Sequence, residues 1–220
     1  MSHSRCRKIP NAITGTIAGA LLGVLLFFPT SVVHATIVGL NQIVTPEIQP
    51  AGVLGLSAQV QHAAIGNSQQ IQFELGVTPR FEVAWFQGLT PGEGLFSTEF
   101  NLVQQGPHLL TVGALNASTR GGRLQPMVEY GYYTETDRFI VGAIRVDGRD
   151  ELLLGYRRQL SARLLGLVDF QAGPFNSATL GLTYNFTPEF SINPAVYRTN
   201  THPHHLLGYV VLTWNIALWK

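Results

Sequence analysis

Polar and apolar residues alternate along most of the chain with a period of two. Over residues 70–77, QIQFELGV, the side chains of Ile71, Phe73, Leu75 and Val77 share one face, and Gln70, Gln72, Glu74 and Gly76 share the other. Successive side chains of a strand point to opposite sides, so this is a half-buried strand and not a helix. Thr78, Pro79 and Arg80 interrupt it, with proline presetting the turn dihedral. Phe81, Val83 and Trp85 then alternate with Glu82 and Ala84, completing a hairpin with one apolar and one polar face. Repeated to the end of the chain, the same pattern predicts twelve strands, with ten as the alternative count. They fall at about 53–61, 69–77, 81–88, 96–104, 108–116, 126–134, 138–146, 151–158, 163–171, 178–186, 190–198 and 206–216.

The connections alternate in length. Short ones fall at 78–80, 105–107, 135–137, 159–162 and 187–189. Longer ones, rich in Gly, Asn, Pro and His, fall at 62–68, 89–95, 117–124, 172–177 and 199–205, with 147–150 as a short exception. GVTPRF at 76–81 is echoed by NFTPEF at 185–190, each placing Thr-Pro at a turn and Phe at the next strand. Strands of about nine residues cross a bilayer when tilted by about 45°. An even count with alternating short turns and long loops predicts a closed antiparallel up-and-down transmembrane β-barrel, both termini on its periplasmic side.

The first 35 residues break the pattern. Arg5, Arg7 and Lys8 precede an apolar run, IAGALLGVLLFF, at 17–28, which Pro29 ends; Val33-His34-Ala35 offers a small-residue exit. These features predict a secretory signal peptide over 1–35, cleaved after Ala35, with the barrel over 36–220. The rival is an uncleaved anchor over 13–33, just long enough to span as a helix. Cleavage removes Cys6, the chain's one cysteine, and leaves Lys220 as the only lysine. A cysteine-free exported chain suits an oxidising compartment.

Charged residues make up 12% of the chain and hydrophobic ones 45%. A soluble domain has roughly twice that charge and puts it on wet faces and strand edges. The net charge of +1 shows no basic excess, which argues against a nucleic-acid partner. Phe81, Trp85, Phe86, Phe96, Tyr130, Tyr132, Tyr184, Phe186, Phe190, Trp214 and Trp219 are candidates for interfacial girdles. A charge facing mid-membrane lipid costs roughly 2–4 kcal/mol. The register should therefore turn Glu74, Glu82, Glu99, Glu129, Arg157, Arg163 and Asp169 into the lumen, against a polar strand face of Gln, Asn, Thr and Gly. Pro194 lacks a ladder donor, so a bulge is expected there. Arg138 or Arg145 must sit near a strand end.

The signal, the TPR and TPE turns and the closing strand LLGYVVLTWNIALW resemble Gram-negative outer-membrane barrels of the small porin-like kind. TPEIQPAG and FNLVQQGPHLLTVGAL are also similar to a barrel unit of exopolysaccharide-associated outer-membrane proteins. The resemblance implies an outer-membrane location, contact with membrane lipid, handling by the outer-membrane assembly machinery, and passage of a small polar solute. Such barrels usually end on an aromatic residue. Here Trp219 precedes Lys220 and is out of phase with Val210, Leu212, Trp214 and Ile216.

No catalytic constellation emerges. The histidines of the barrel region, His62, His108, His202, His204 and His205, have no serine at a spacing that fits a nucleophile and base. His202-Pro203-His204-His205 has metal-ligand residue types, but adjacent histidines in extended chain point apart, and the cluster reads as a polar loop. No enzyme activity, cofactor or metal is expected. The acids Glu74, Glu82, Glu99 and Glu129 come from early strands, and Arg157 and Arg163 from later ones. Facing walls of opposite sign would set a transverse field across a narrow channel for small polar solutes. Alternatively these groups pair and plug the lumen of a structural or binding barrel, an accessory to polysaccharide export or surface interaction. A soluble periplasmic β protein is the third reading.

Overall fold

The computed structural model describes residues 39–219, except residues 65, 91, 123, 175 and 202–204. The expected signal peptide and its cleavage site at Ala35 lie outside the described residues, as do His202, Pro203 and His204. The strands are β1 (Val53–Gln61), β2 (Gln69–Thr78), β3 (Phe81–Gly88), β4 (Gly94–Gln105), β5 (His108–Ser118), β6 (Gln125–Tyr133), β7 (Asp137–Val146), β8 (Arg149–Ser161), β9 (Leu164–Gln171), β10 (Ser177–Asn185), β11 (Phe190–Thr199) and β12 (Leu206–Ala217). Each pairs antiparallel with its sequence neighbours, and β1 closes the ring on β12 from Val53↔Ala217 to Gln61↔Tyr209. Closure removes every sheet edge, the condition for strands to survive in hydrocarbon.

Alternation sorts the side chains into two solvents. On β10, Ser177, Thr179, Gly181 and Thr183 are buried inward, while Ala178, Leu180, Leu182 and Tyr184 face out and are exposed. The outward faces of the other strands carry Phe73, Phe100, Val128, Val141, Leu154 and Val210, all exposed. Aromatic pairs ring the short-turn end: Phe139 and Tyr156 at 5.1 Å, Tyr184 and Phe186 at 5.1 Å, Phe186 and Phe190 at 5.4 Å. An apolar belt with an aromatic collar is an exterior matched to a bilayer and its interface. Phe86 does not belong to the collar. It shares the inward parity of Glu82 and Ala84 and lines the lumen.

The exceptional connection between β7 and β8 is a two-residue turn, Asp147 (φ 48°) and Gly148 (φ 80°), with Val146 paired to Arg149. Two positive φ values give the type I′ turn whose twist matches a hairpin. Arg138 and Arg145 both sit near ends of β7, and Arg145 pairs with Asp150 at 2.7 Å across this turn.

Two further expectations, about Arg163 and Pro194, need correction. Arg163 does not face the lumen. β9 begins at Leu164, so Arg163 lies exposed in the turn after Ser161, its carbonyl accepting from Asn185 N at 2.9 Å. Nor is there a bulge at Pro194. The β10–β11 register is the same on both sides of it, from Gly181↔Ala195 to Tyr184↔Ile192. The Asn193 side-chain amide donates to Leu182 O at 2.8 Å, replacing the N–H that proline lacks, so the strand stays straight. Trp219 lies beyond β12, where Leu218 N donates to Gly52 O at 2.7 Å; its phase follows from leaving the ladder.

Candidate functional site: a lumen crossed by its own N-terminal segment

Residues 39–52 precede β1 and run along the inside of the barrel. At the long-loop end, Gln42 donates to Gln171 Oε1 and Asn176 Oδ1 at 3.4 Å each, and Ser177 Oγ donates to Gln42 Oε1. Toward the short-turn end, Pro46 O accepts from Thr111 Oγ1 at 2.8 Å and Asn101 Nδ2 at 3.2 Å. At the short-turn end, Gly52 N donates to Gly76 O at 2.8 Å, and the chain enters β1.

Charged strand residues grip this segment. Asp169 Oδ2 accepts from Asn41 N at 2.5 Å and Gln42 N at 3.1 Å, and Glu82 Oε2 accepts from Gln49 N at 2.5 Å. These carboxylates satisfy backbone donors that have no ladder partner, as buried N–H groups require. Glu47, on the segment, pairs with Arg138 at 3.0 Å and Arg157 at 3.3 Å. The expected field between acidic and basic strand walls is therefore bridged, with Glu47 standing between β7–β8 and the acids. Those acids form a row. Glu82 sits opposite Glu99 across β3–β4, Glu74 lies beside them on β2, and Glu129 follows on β6. Glu129 is fully buried, and neither of its oxygens has a hydrogen-bond partner among the described residues.

The inner wall is not polar throughout, as the sequence reading expected. From β5 to β9 it presents Leu109, Leu115, Met127, Ile140, Ile144, Leu153 and Leu167, and Leu40 and Ile43 of the segment bury against them. Covering that stripe removes apolar surface from water at about 25 cal/mol per Å². Strand glycines make the room. A β-carbon on Gly155 would come 2.4 Å from Leu40 Cδ1, one on Gly181 2.0 Å from Asn41 Oδ1, and one on Gly76 2.2 Å from Gln49 O. Gly131 makes the same allowance for the Pro46 ring, at 2.8 Å. The segment and its bed are shaped to each other.

Two chambers flank the segment. The larger, about 460 Å³, opens at the long-loop end and is lined by residues 39–44, inward residues of the strands and amide side chains of β1 and β2. The smaller, about 330 Å³, lies at the short-turn end beside Glu47, Pro79, Asn101, Pro107, Tyr133 and Arg138.

Of the residues singled out from sequence, Glu82, Arg157 and Asp169 hold the segment, Glu74, Glu99 and Glu129 form the acidic row with Glu82, and Arg163 is outside. Sequence reasoning missed Asn41, Gln42, Glu47 and Gln49, and with them Arg138 as a lumen residue. The signal for them was present as inward-phase glycines at 76, 155 and 181, which an empty barrel does not need.

No family model matches the sequence, and no curated protein does. Among solved structures the barrel is similar to the KdgM porin in complex with disordered oligogalacturonate, with 7% identity and a TM-score of 0.54, covering 74% of this chain and 98% of that one. It is likewise similar to the NanC porin, with 10% identity and a TM-score of 0.54, covering 76% of this chain and 100% of that one. At such identity the likeness is one of fold, and the barrel of this chain takes the fold of those porins.

Proposed function

We propose that the chain is a bacterial outer-membrane barrel, exported by a cleaved signal peptide over residues 1–35. It acts as a narrow passive channel for small polar solutes, constricted by residues 39–52. The carrying observation is the division of side chains: an apolar, lipid-matched exterior around an interior whose two chambers mix polar and apolar side chains. A soluble barrel would leave that belt in water, at a cost proportional to its area. Membrane lipid and the outer-membrane assembly machinery are then its obligatory partners, and the chain conducts and does not catalyse.

The purified full chain, reconstituted in planar bilayers, should give small unitary conductances, raised by variants that loosen the segment. A heat-modifiable, folded barrel that passes no current, with or without those variants, refutes the channel. The second reading, a plugged structural or binding barrel, is favoured by the grip of Glu82, Asp169 and the Glu47 ion pairs on the segment. It predicts silence in the native protein and current only once that grip is broken.

A further inference from the structure

We infer that the chamber at the long-loop end is a binding site for an uncharged polyhydroxylated solute, a neutral saccharide of about disaccharide size. The proposal builds on the channel reading and names the solute that this lumen selects. The chamber volume of about 460 Å³ falls in the range of roughly 300–1,000 Å³ usual for small-molecule sites.

Its wall chemistry makes the choice. Among the described residues, Glu74 is the only lining side chain that is an acid or a base of the Asp, Glu, Lys, Arg or His type. The polar work falls to amides. Gln72 Nε2 donates to Gln59 Oε1 at 2.7 Å, Gln59 Nε2 to Gln61 Oε1 at 2.7 Å, and Gln61 Nε2 to Asn67 O at 2.8 Å. This relay fixes the orientation of three amides before any ligand arrives. Each primary amide has two N–H donors and two acceptor lone pairs, so each keeps capacity to spare. A sugar hydroxyl is both donor and acceptor, and a row of oriented amides matches a row of hydroxyls without charge. Gln70 extends the row, directly opposite Gln59 across β1–β2, at the cross-strand spacing of about 4.5–5.5 Å, the scale of one sugar ring.

Two further features mark the chamber. Asn116 sits at φ 58°, where the β4–β5 register shifts between Phe96 and Thr98, and its amide donates to Gln125 Oε1 at 2.8 Å. A left-handed residue in a bulge is backbone strain, and here it aims an amide into the lumen. Phe86 faces inward beside the glutamines and offers the apolar surface that the C–H face of a sugar ring requires. Among the described lining residues an anionic saccharide finds no arginine or lysine to pair with its carboxylates, and it meets Glu74. A simple cation would leave the amide N–H groups unpaired, which is costly in a confined site.

The full chain, folded in a zwitterionic detergent free of sugar headgroups, is titrated calorimetrically with maltose, cellobiose and lactose, and with digalacturonate as the anion of matching size. At least one neutral disaccharide should saturate the protein, with digalacturonate at least tenfold weaker. Gln59→Leu with Gln72→Leu should weaken that binding tenfold or more, and Gln70→Leu alone severalfold. Gln104→Leu, in the short-turn chamber, should leave it unchanged, and heat-modifiable migration shows which variants are folded. Digalacturonate binding as tightly as the neutral sugars, no saturation by any of the three across the millimolar range, or full affinity in the folded glutamine variants overturns the proposal. Binding is read without flux. A barrel that binds sugar and passes no current sinks only the channel reading, and one that conducts but binds no neutral sugar sinks only this assignment.

Discussion

Glu47→Ala should release the lumenal segment. Glu47 meets Arg138 at 3.0 Å and Arg157 at 3.3 Å, with side-chain exposures of 11% for Glu47, 30% for Arg138 and 9% for Arg157. Removing one member of a buried pair costs about 3–5 kcal/mol, because the remaining charge is stranded. Arg138 is the more exposed of the two arginines and also lies over the Tyr133 ring, 4.2 Å from its centroid, so it keeps some compensation. Partial exposure brings the cost below that range, to about 2–3 kcal/mol. At about 1.4 kcal/mol per factor of ten, docking weakens by roughly 30- to 150-fold. An undocked state of about 0.1% would then rise to roughly 3–13%. Single-channel records of the variant should show frequent excursions to a larger conductance, with Glu47→Gln intermediate. Arg145→Ala should behave as the parent, since its partner Asp150 is exposed at the start of β8, away from the segment. Identical open probabilities for Glu47→Ala and the parent, in barrels of equal heat-modifiability, would refute the reasoning.

Other outcomes follow from the same geometry. Gly155→Val places side-chain atoms where Leu40 sits and should raise conductance while the barrel stays folded; unchanged conductance counts against the docked segment as the constriction. Asn193→Leu deprives Leu182 O of its donor and should lower unfolding stability by about 1–3 kcal/mol; adding Pro194→Ala restores a backbone N–H and should recover part of the loss in urea titrations. Leu182→Arg, on the outward face, should cost roughly 2–4 kcal/mol of stability in lipid vesicles, whereas Gln72→Arg, on the lumen side, should cost far less. Glu129→Gln removes a fully buried carboxylate without hydrogen-bond partners among the described residues and should raise the thermal midpoint; a fall would mean that the charge is compensated.

The strands were legible because each faces two different solvents, and a period of two is all that this requires. Every predicted strand lies within three residues of an observed one. Residues 39–52 left no such trace. They contact each strand wall through single groups, Asn41 here and Glu47 there, so no periodicity builds up. Their clearest signature sits in the walls, where a glycine reads as a loss of strand propensity until something is known to lie above it. Arg163 had the correct phase but fell one residue before its strand. Pro194 misled because the compensating donor came from the neighbouring Asn193 side chain, a local repair that pattern reading does not register.

Gly52, with φ 78°, is where the lumenal segment is hung, and it sits at the rim with the tight turns. A strap fastened at that rim and laid along the bore presents its far end, Asn41 and Gln42, at the opposite mouth. A partner reaching in from the long-loop side meets the latch, and one at the rim of tight turns meets the hinge.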